Sequence, residues 1–262
     1  MEKNNPFNVL NVSVESNYSL FNGKDLELVY YEHKVPSNVT QVHEEFRDMV
    51  LSTEFPCAGA KTAFLQNTYR FAFYDQMASL NTTRLLAYDL FNFIQEQQKM
   101  DTDFTTFIAC FNNPILLDED NFEQLLWKQL HELNILDGVF HKWSDKVSSD
   151  INDKNFSFSF SEEAFFIVGL HPDSSRHARR FAYPTLVFNS HEQFNELKRK
   201  NKFQHLQKAI RRNDMKLQGS INPNLANHGE VSEALQYSGK YNPEDLFKCP
   251  YFNRETNSFE KI

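Results

Sequence analysis

The sequence predicts one α+β domain: a small central β-sheet flanked by helices, with long loops that carry the chemistry. Three observations predict it. The runs FTTFIACF at 104–111, AFFIVGL at 164–170 and TLVF at 185–188 are apolar, aromatic and β-branched, the composition of buried strands. Other segments place apolar residues at helical spacing. The polar stretch Ser144–Asn155 is followed at once by strand-like sequence, so it reads as a surface loop and a poor domain linker.

In chain order, residues 1–37 read as an irregular or short-strand preamble, with Leu26–Tyr31 as its strand candidate. Ser37–Leu51 reads as a helix, because Val42, Phe46, Met49 and Val50 recur at its period. Pro56 biases Phe55 towards an extended backbone. Ala58–Phe64 is either a helix start or an extended turn, Gly59 leaving the choice open. Arg70–Met77 is aromatic-rich, and Thr82–Met100 is a helix with Leu86, Leu90 and Ile94 on one broad face.

Phe104–Phe111 is the first buried strand, ended by Asn112-Asn113-Pro114, and Asn121–Asp137 is a helix. Ala164–Leu170 and Thr185–Phe188 are strands, separated by His171–Pro184, too long and polar for a tight hairpin. Ser190 caps a helix running to about Lys200, with Gln193 at the capping-box position. Phe203–Asn213 is a second short helix, and Val231–Tyr237 a third within a largely loop-like C-terminal region. The pattern leaves strand direction open.

Composition narrows the function. The formal charge is −8, from 27 basic and 35 acidic residues, whereas a general nucleic-acid binder is basic. Seven glycines argue against a glycine-punctuated solenoid or a dinucleotide-binding domain. The 26 phenylalanines supply bulky core side chains. Three cysteines, Cys57, Cys110 and Cys249, lack metal spacing and are odd in number, so a disulfide framework is not expected. The N-terminus lacks a signal-peptide pattern and no run is long enough to span a bilayer. The expected location is the cytoplasm, with no membrane and no nucleic-acid partner; a homodimer is left open.

Most of the informative polar chemistry lies between Gly169 and Gly239. GLHPDSSRHARRFAYP at 169–184 leaves a strand and gathers His171, Arg176, His177, Arg179 and Arg180. On a helix, Arg179 and Arg180 both neighbour Arg176, and such a face holds a carboxylate or phosphate through guanidinium forks. A solvated or salt-bridged face is the plainer alternative. His171 at the strand end suits a metal ligand, an acid or base, or a structural hydrogen bonder. His191 suits the helix cap as well as chemistry. Cys57 follows a proline; a helix starting at Ala58 would put the thiol at its positive end beside Lys61, which favours thiolate. A buried free cysteine is the plain alternative; it suits Cys110, while Cys249, before Pro250, is a second Cys57-like candidate. Glu230 and Glu233 suit a cationic head group or the first turn of the short helix. HExxH, Walker A, GxSxG and EF-hand patterns are absent.

The chain resembles the YqcI/YcgG family. The resemblance is carried in order by FPCAGAKTAF at 55–64, GLHPDSSRHARRF at 169–181, PTLVFNSHEQFNELK at 184–198, IRRNDMKLQGSINPNL at 210–225, SEALQYSG at 232–239 and KCPYF at 248–252. It covers about residues 50–252. Residues 1–35 are set apart as an N-terminal extension and 36–262 as the family-like domain.

The family's characterised relatives look like haem-dependent monooxygenases that N-hydroxylate the guanidine group of arginine or a modified arginine. The resemblance therefore implies haem b, a small guanidine substrate, O2 and an unidentified electron donor. Cys57 is then the preferred iron ligand, with His171 and after it Cys249 as rivals, because thiolate or imidazole can hold haem iron. Arg176, Arg179 and Arg180 would meet the propionates. Phe64, Phe71, Phe73 and Phe181 offer apolar surface to a porphyrin, or are ordinary core. Glu230 and Glu233 would receive the guanidinium. The alternative is a non-catalytic haem- or anion-binding or sensor protein.

Overall fold

A computed structural model describes residues 5–31, 33–115, 118–220, 231–243, 247 and 249. A seven-stranded mixed sheet forms its centre: β1 (Ser19–Phe21), β2 (Leu26–Leu28), β3 (Tyr69–Gln76), β4 (Thr106–Asn113), β5 (Phe158–Phe160), β6 (Glu163–Leu170) and β7 (Thr185–Ser190). Their order is β2-β1-β3-β4-β7-β6-β5. β3 and β4 pair in parallel, Phe71 opposite Ile108, and the remaining neighbours are antiparallel.

Among the described residues, six α-helices pack around the sheet: α1 (Ser37–Leu51), α2 (Ala58–Gln66), α3 (Leu80–Gln97), α4 (Glu119–Asp137), α5 (His191–Arg199) and α6 (Phe203–Gln218). The α+β architecture read from the sequence is the observed one. α1 spans the residues its periodicity predicts, and Ala58 begins a helix rather than an extended turn. The aromatic segment after Arg70, to which the sequence assigned no element, is β3, an interior strand between β1 and β4. It was obscured because β3 is buried on both faces, so its hydrophobicity does not alternate.

The period-two geometry of the strands divides the core in two. Ala72 and Tyr74 of β3, Phe107, Ala109 and Phe111 of β4, Phe165 and Ile167 of β6 and Leu186 and Phe188 of β7 pack on α3 and α4. Phe71 and Phe73, Ile108 and Cys110, and Leu170 face the opposite way, onto α1 and α2. Within the first 35 residues, the described ones contribute to the same body. β1 pairs with β3, and Phe7, Val12 and Tyr18 belong to the larger core. Among the described residues, no helix is long and apolar enough to cross a membrane.

The connection from β6 to β7 folds back on itself. His171 donates its backbone N–H to the Arg179 carbonyl at 3.0 Å, and Arg179 N–H reaches the Arg176 carbonyl at 2.9 Å. Its regular structure is a 3₁₀ turn, His177–Arg179, flanked by extended Arg176 and Arg180. The arginines therefore do not share the helical face that a helix over 173–180 would give.

Candidate functional site

The second face of the sheet is not filled. Between it, α1, α2 and the α5–α6 hairpin lies a cavity of about 430 Å³, a volume typical of small-ligand sites. Its sheet wall is Ile108, Val168, Leu170 and Val187, its helix wall Phe46 and Phe64, and its roof Phe194, Leu197, Phe203, Leu206 and Ile210. Most of this surface is apolar. Cys57, Arg176, Arg179, His191, Asp214 and Glu233 supply the polar chemistry.

Cys57 is the N-cap of α2. Its Sγ accepts the Ala60 N–H at 3.4 Å. Burial pushes the thiol above its ordinary range, against the amides of Ala60 and Gly59 and the charges of Arg179 and Lys61. The helix-end and lysine effects expected from sequence act in the expected direction, but desolvation outweighs them.

The three arginines separate. Arg176 is buried and pairs with Asp214 of α6 at 2.5 Å, while also donating to Ser220 Oγ and the Ser220 carbonyl, each at 3.1 Å. Arg179 donates to the carbonyls of Gly169 at 3.1 Å, Gln236 at 3.3 Å and Tyr237 at 3.5 Å. Among the described residues no carboxylate forms an ion pair with it. Burial lowers its pKa to about 10, the mark of a desolvated cation. Gly239, at φ +83°, allows the close approach: a Cβ there would stand 3.1 Å from Arg179 Cγ. Arg180 is exposed, is not part of the cavity wall, and donates to the Ser174 carbonyl at 2.6 Å.

At another part of the wall, a 3₁₀ turn, Glu233–Gln236, buries a carboxylate. Glu233 Oε1 accepts from Ser157 Oγ at 2.8 Å and Tyr237 Oη at 2.6 Å. Its Oε2 lies 2.9 Å from His191 Nε2, which is also 2.9 Å from Ser157 Oγ. Both partners sit on the same imidazole nitrogen, so this is not the relay geometry of a Ser-His-acid triad. It is a hydrogen-bonded holder for a buried carboxylate. Glu230 lies outside the described residues.

His171 is fully buried, stacked on Phe122 at 4.5 Å, and does not line the cavity. Cys249 packs in the larger core, also away from the cavity wall. Of the three proposed iron ligands, Cys57 alone lines it. Phe64 does so too, whereas Phe71, Phe73 and Phe181 are core residues. Ser190 caps α5 as expected, accepting the Glu192 N–H at 3.1 Å. Gln193 does not close a capping box; its side chain accepts from Thr105 N–H at 3.4 Å. Sequence reasoning missed Ser157 and Asp214. Neither stands in a motif, and each acquires meaning through a partner far away in the chain.

The fold and site together define an α+β protein with a mainly apolar cavity whose wall bears a thiol, a buried arginine and a buried carboxylate. The chain belongs to the YqcI/YcgG family, whose sequence model matches residues 46–252. Two Bacillus subtilis (strain 168) proteins are similar to it. Uncharacterized protein YcgG is 26% identical over 220 residues, covering 79% of this chain and 84% of that protein. Uncharacterized protein YqcI is 25% identical over 217 residues, with the same two coverages. No solved structure matches.

Proposed function

We propose that the chain is a haem-dependent monooxygenase that N-hydroxylates a small guanidine compound such as arginine, using O2 and a separate electron donor. The observation that carries this reading is one apolar cavity with Cys57 and Arg179 on its wall. These residues fit haem b. The apolar wall suits a macrocycle, the thiol suits iron, and the carbonyl-bound Arg179 suits a propionate. Arg176 would join only by leaving Asp214, and Arg180 stands on the outer surface.

Bound haem would supply oxygen activation, which protein side chains do not. The chain's own residues would bind and orient the substrate. Glu233, fixed by Ser157, His191 and Tyr237, is the described carboxylate for a planar guanidinium, with Glu230 as its neighbour in sequence. Oε1 already takes two donors, so Oε2, with the single His191 contact among the described residues, would meet a guanidinium N–H. The apolar wall excludes water, and holding the guanidine nitrogen in one orientation matters as much as affinity.

The test combines haem-loaded protein, a reductant and O2 with a panel of guanidines and plain amines. Mass spectrometry is expected to show a one-oxygen gain on a guanidine that requires haem. Cys57→Ser is expected to abolish the carbonyl difference band of thiolate-ligated haem, with His171→Ala leaving it in place. Haem uptake without product from any compound would assign the protein to haem binding or sensing. An unchanged carbonyl spectrum in Cys57→Ser with a changed one in His171→Ala would pass the ligand role to His171.

A further inference from the structure

We propose that the α5–α6 hairpin is a lid over the cavity, latched shut by the Arg176–Asp214 ion pair. The inference needs only the cavity and holds whether or not haem occupies it. Phe194 and Leu197 of α5 and Phe203, Leu206 and Ile210 of α6 point their apolar surface at the cavity. None of them belongs to either core cluster, and of the five only Leu197 is buried; the other four stay partly exposed. In α6, Asp214 is the buried residue, and it is a charged one. A helix packed for stability buries its apolar stripe in the core; this pair keeps its stripe over a hollow.

Polar ties hold the hairpin to the body. Asp214 meets Arg176, with both side chains about nine-tenths buried. Asn213 Nδ2 donates to the Pro56 carbonyl at 3.3 Å, next to Cys57. Lys200 pairs with Asp103, and Lys202 lies 3.9 Å from it. Gln218 accepts from His177 N–H at 2.8 Å and donates to the Ser175 carbonyl at 3.0 Å. Backbone pivots flank and divide the unit: Asn201 at φ +58° between the helices and Gly219 at φ +74° after α6. Gly219 has open space where a Cβ would be. A unit held mainly by polar ties opens at lower cost than the core beneath it, and lids of this kind gate ligand entry. The buried pair matters most, because removing one partner leaves the other charge buried.

Two cysteines make the motion measurable in the full chain. Cys57 lies under α6 on the cavity wall, while Cys110 is fully buried within β4. Alkylation by N-ethylmaleimide, resolved by peptide mass spectrometry, reads both at once. In Asp214→Asn, Cys57 is expected to react at least about tenfold faster than in the native chain, with Cys110 unchanged. The α6 amides are expected to exchange hydrogen faster in the same variant. Should Asp214→Asn fail to fold, Asp103→Asn must show the same selective acceleration. A native rate at Cys57 in a folded variant overturns the proposal. So does acceleration of Cys57 and Cys110 together, which signals global unfolding.

Discussion

Gly169 is the most closely confined of the described glycines. A Cβ there would stand 2.8 Å from Leu126 Cδ1, Phe122 Cε1 and the Tyr237 carbonyl oxygen. The carbonyl cannot retreat, since it accepts the Gly169 N–H at 2.7 Å. Gly169→Ala is expected to destabilise by about 1–3 kcal/mol, read from the urea midpoint at unchanged slope. Asp89 tests a second residue-scale effect. Burial raises its carboxyl pKa to about 7, although Ser16 Oγ at 2.5 Å and Tyr74 Oη at 2.7 Å donate to it. The folded chain therefore holds a proton that the unfolded chain releases near pH 4. This contribution to stability is full below that pH and is lost as pH rises to about 7. Asp89→Asn is expected to flatten the dependence by at most about 4 kcal/mol. Unfolding curves of both chains between pH 4 and pH 8 measure the difference.

At the scale of elements, the Glu233–Gln236 turn serves two purposes. Its carboxylate is held by Ser157, His191 and Tyr237, and its Gln236 carbonyl accepts from Arg179. Glu233→Ala removes the acceptor that these three groups share. The expected loss is about 2–4 kcal/mol, with Glu233→Gln losing less because it keeps the shape and one acceptor oxygen. Chemical denaturation of the two variants side by side checks the order. Which elements form was largely legible: α1, α4, β4, β6 and β7 each declare themselves through local apolar spacing. The purpose of the turn was not legible, because acidic residues near a helix start are favourable without any distant partner.

For the whole molecule, the N-terminal residues are the revealing case. They precede the family match at residue 46, yet β1 extends the sheet and Phe7, Val12 and Tyr18 enter the main core. Deleting residues 1–18 would uncover that core and remove the Ser16 hydroxyl from Asp89. At about 1.5–3 kcal/mol for each buried apolar side chain, the truncated chain is expected to lose roughly 5 kcal/mol or more. Circular dichroism melting and the fraction of soluble protein check it. A melt equal to that of the full chain would show that the extension is dispensable.

The sequence by itself determined the class of fold and the position of most helices and three strands. Those features follow from interactions among residues two to four positions apart, which leave a periodic trace in the chain. Tertiary structure decided the rest. It placed β3 in parallel with β4 and roofed a hollow with α5 and α6. It set Cys57 on that hollow and His171 and Cys249 away from it. Three arginines within five residues received different settings: Arg176 a carboxylate on α6, Arg179 a set of carbonyls, and Arg180 the Ser174 carbonyl on the outer surface. Burial and partner choice join residues 57, 157, 179, 191, 214 and 233 across most of the chain, and long-range packing of this kind leaves no local period to read.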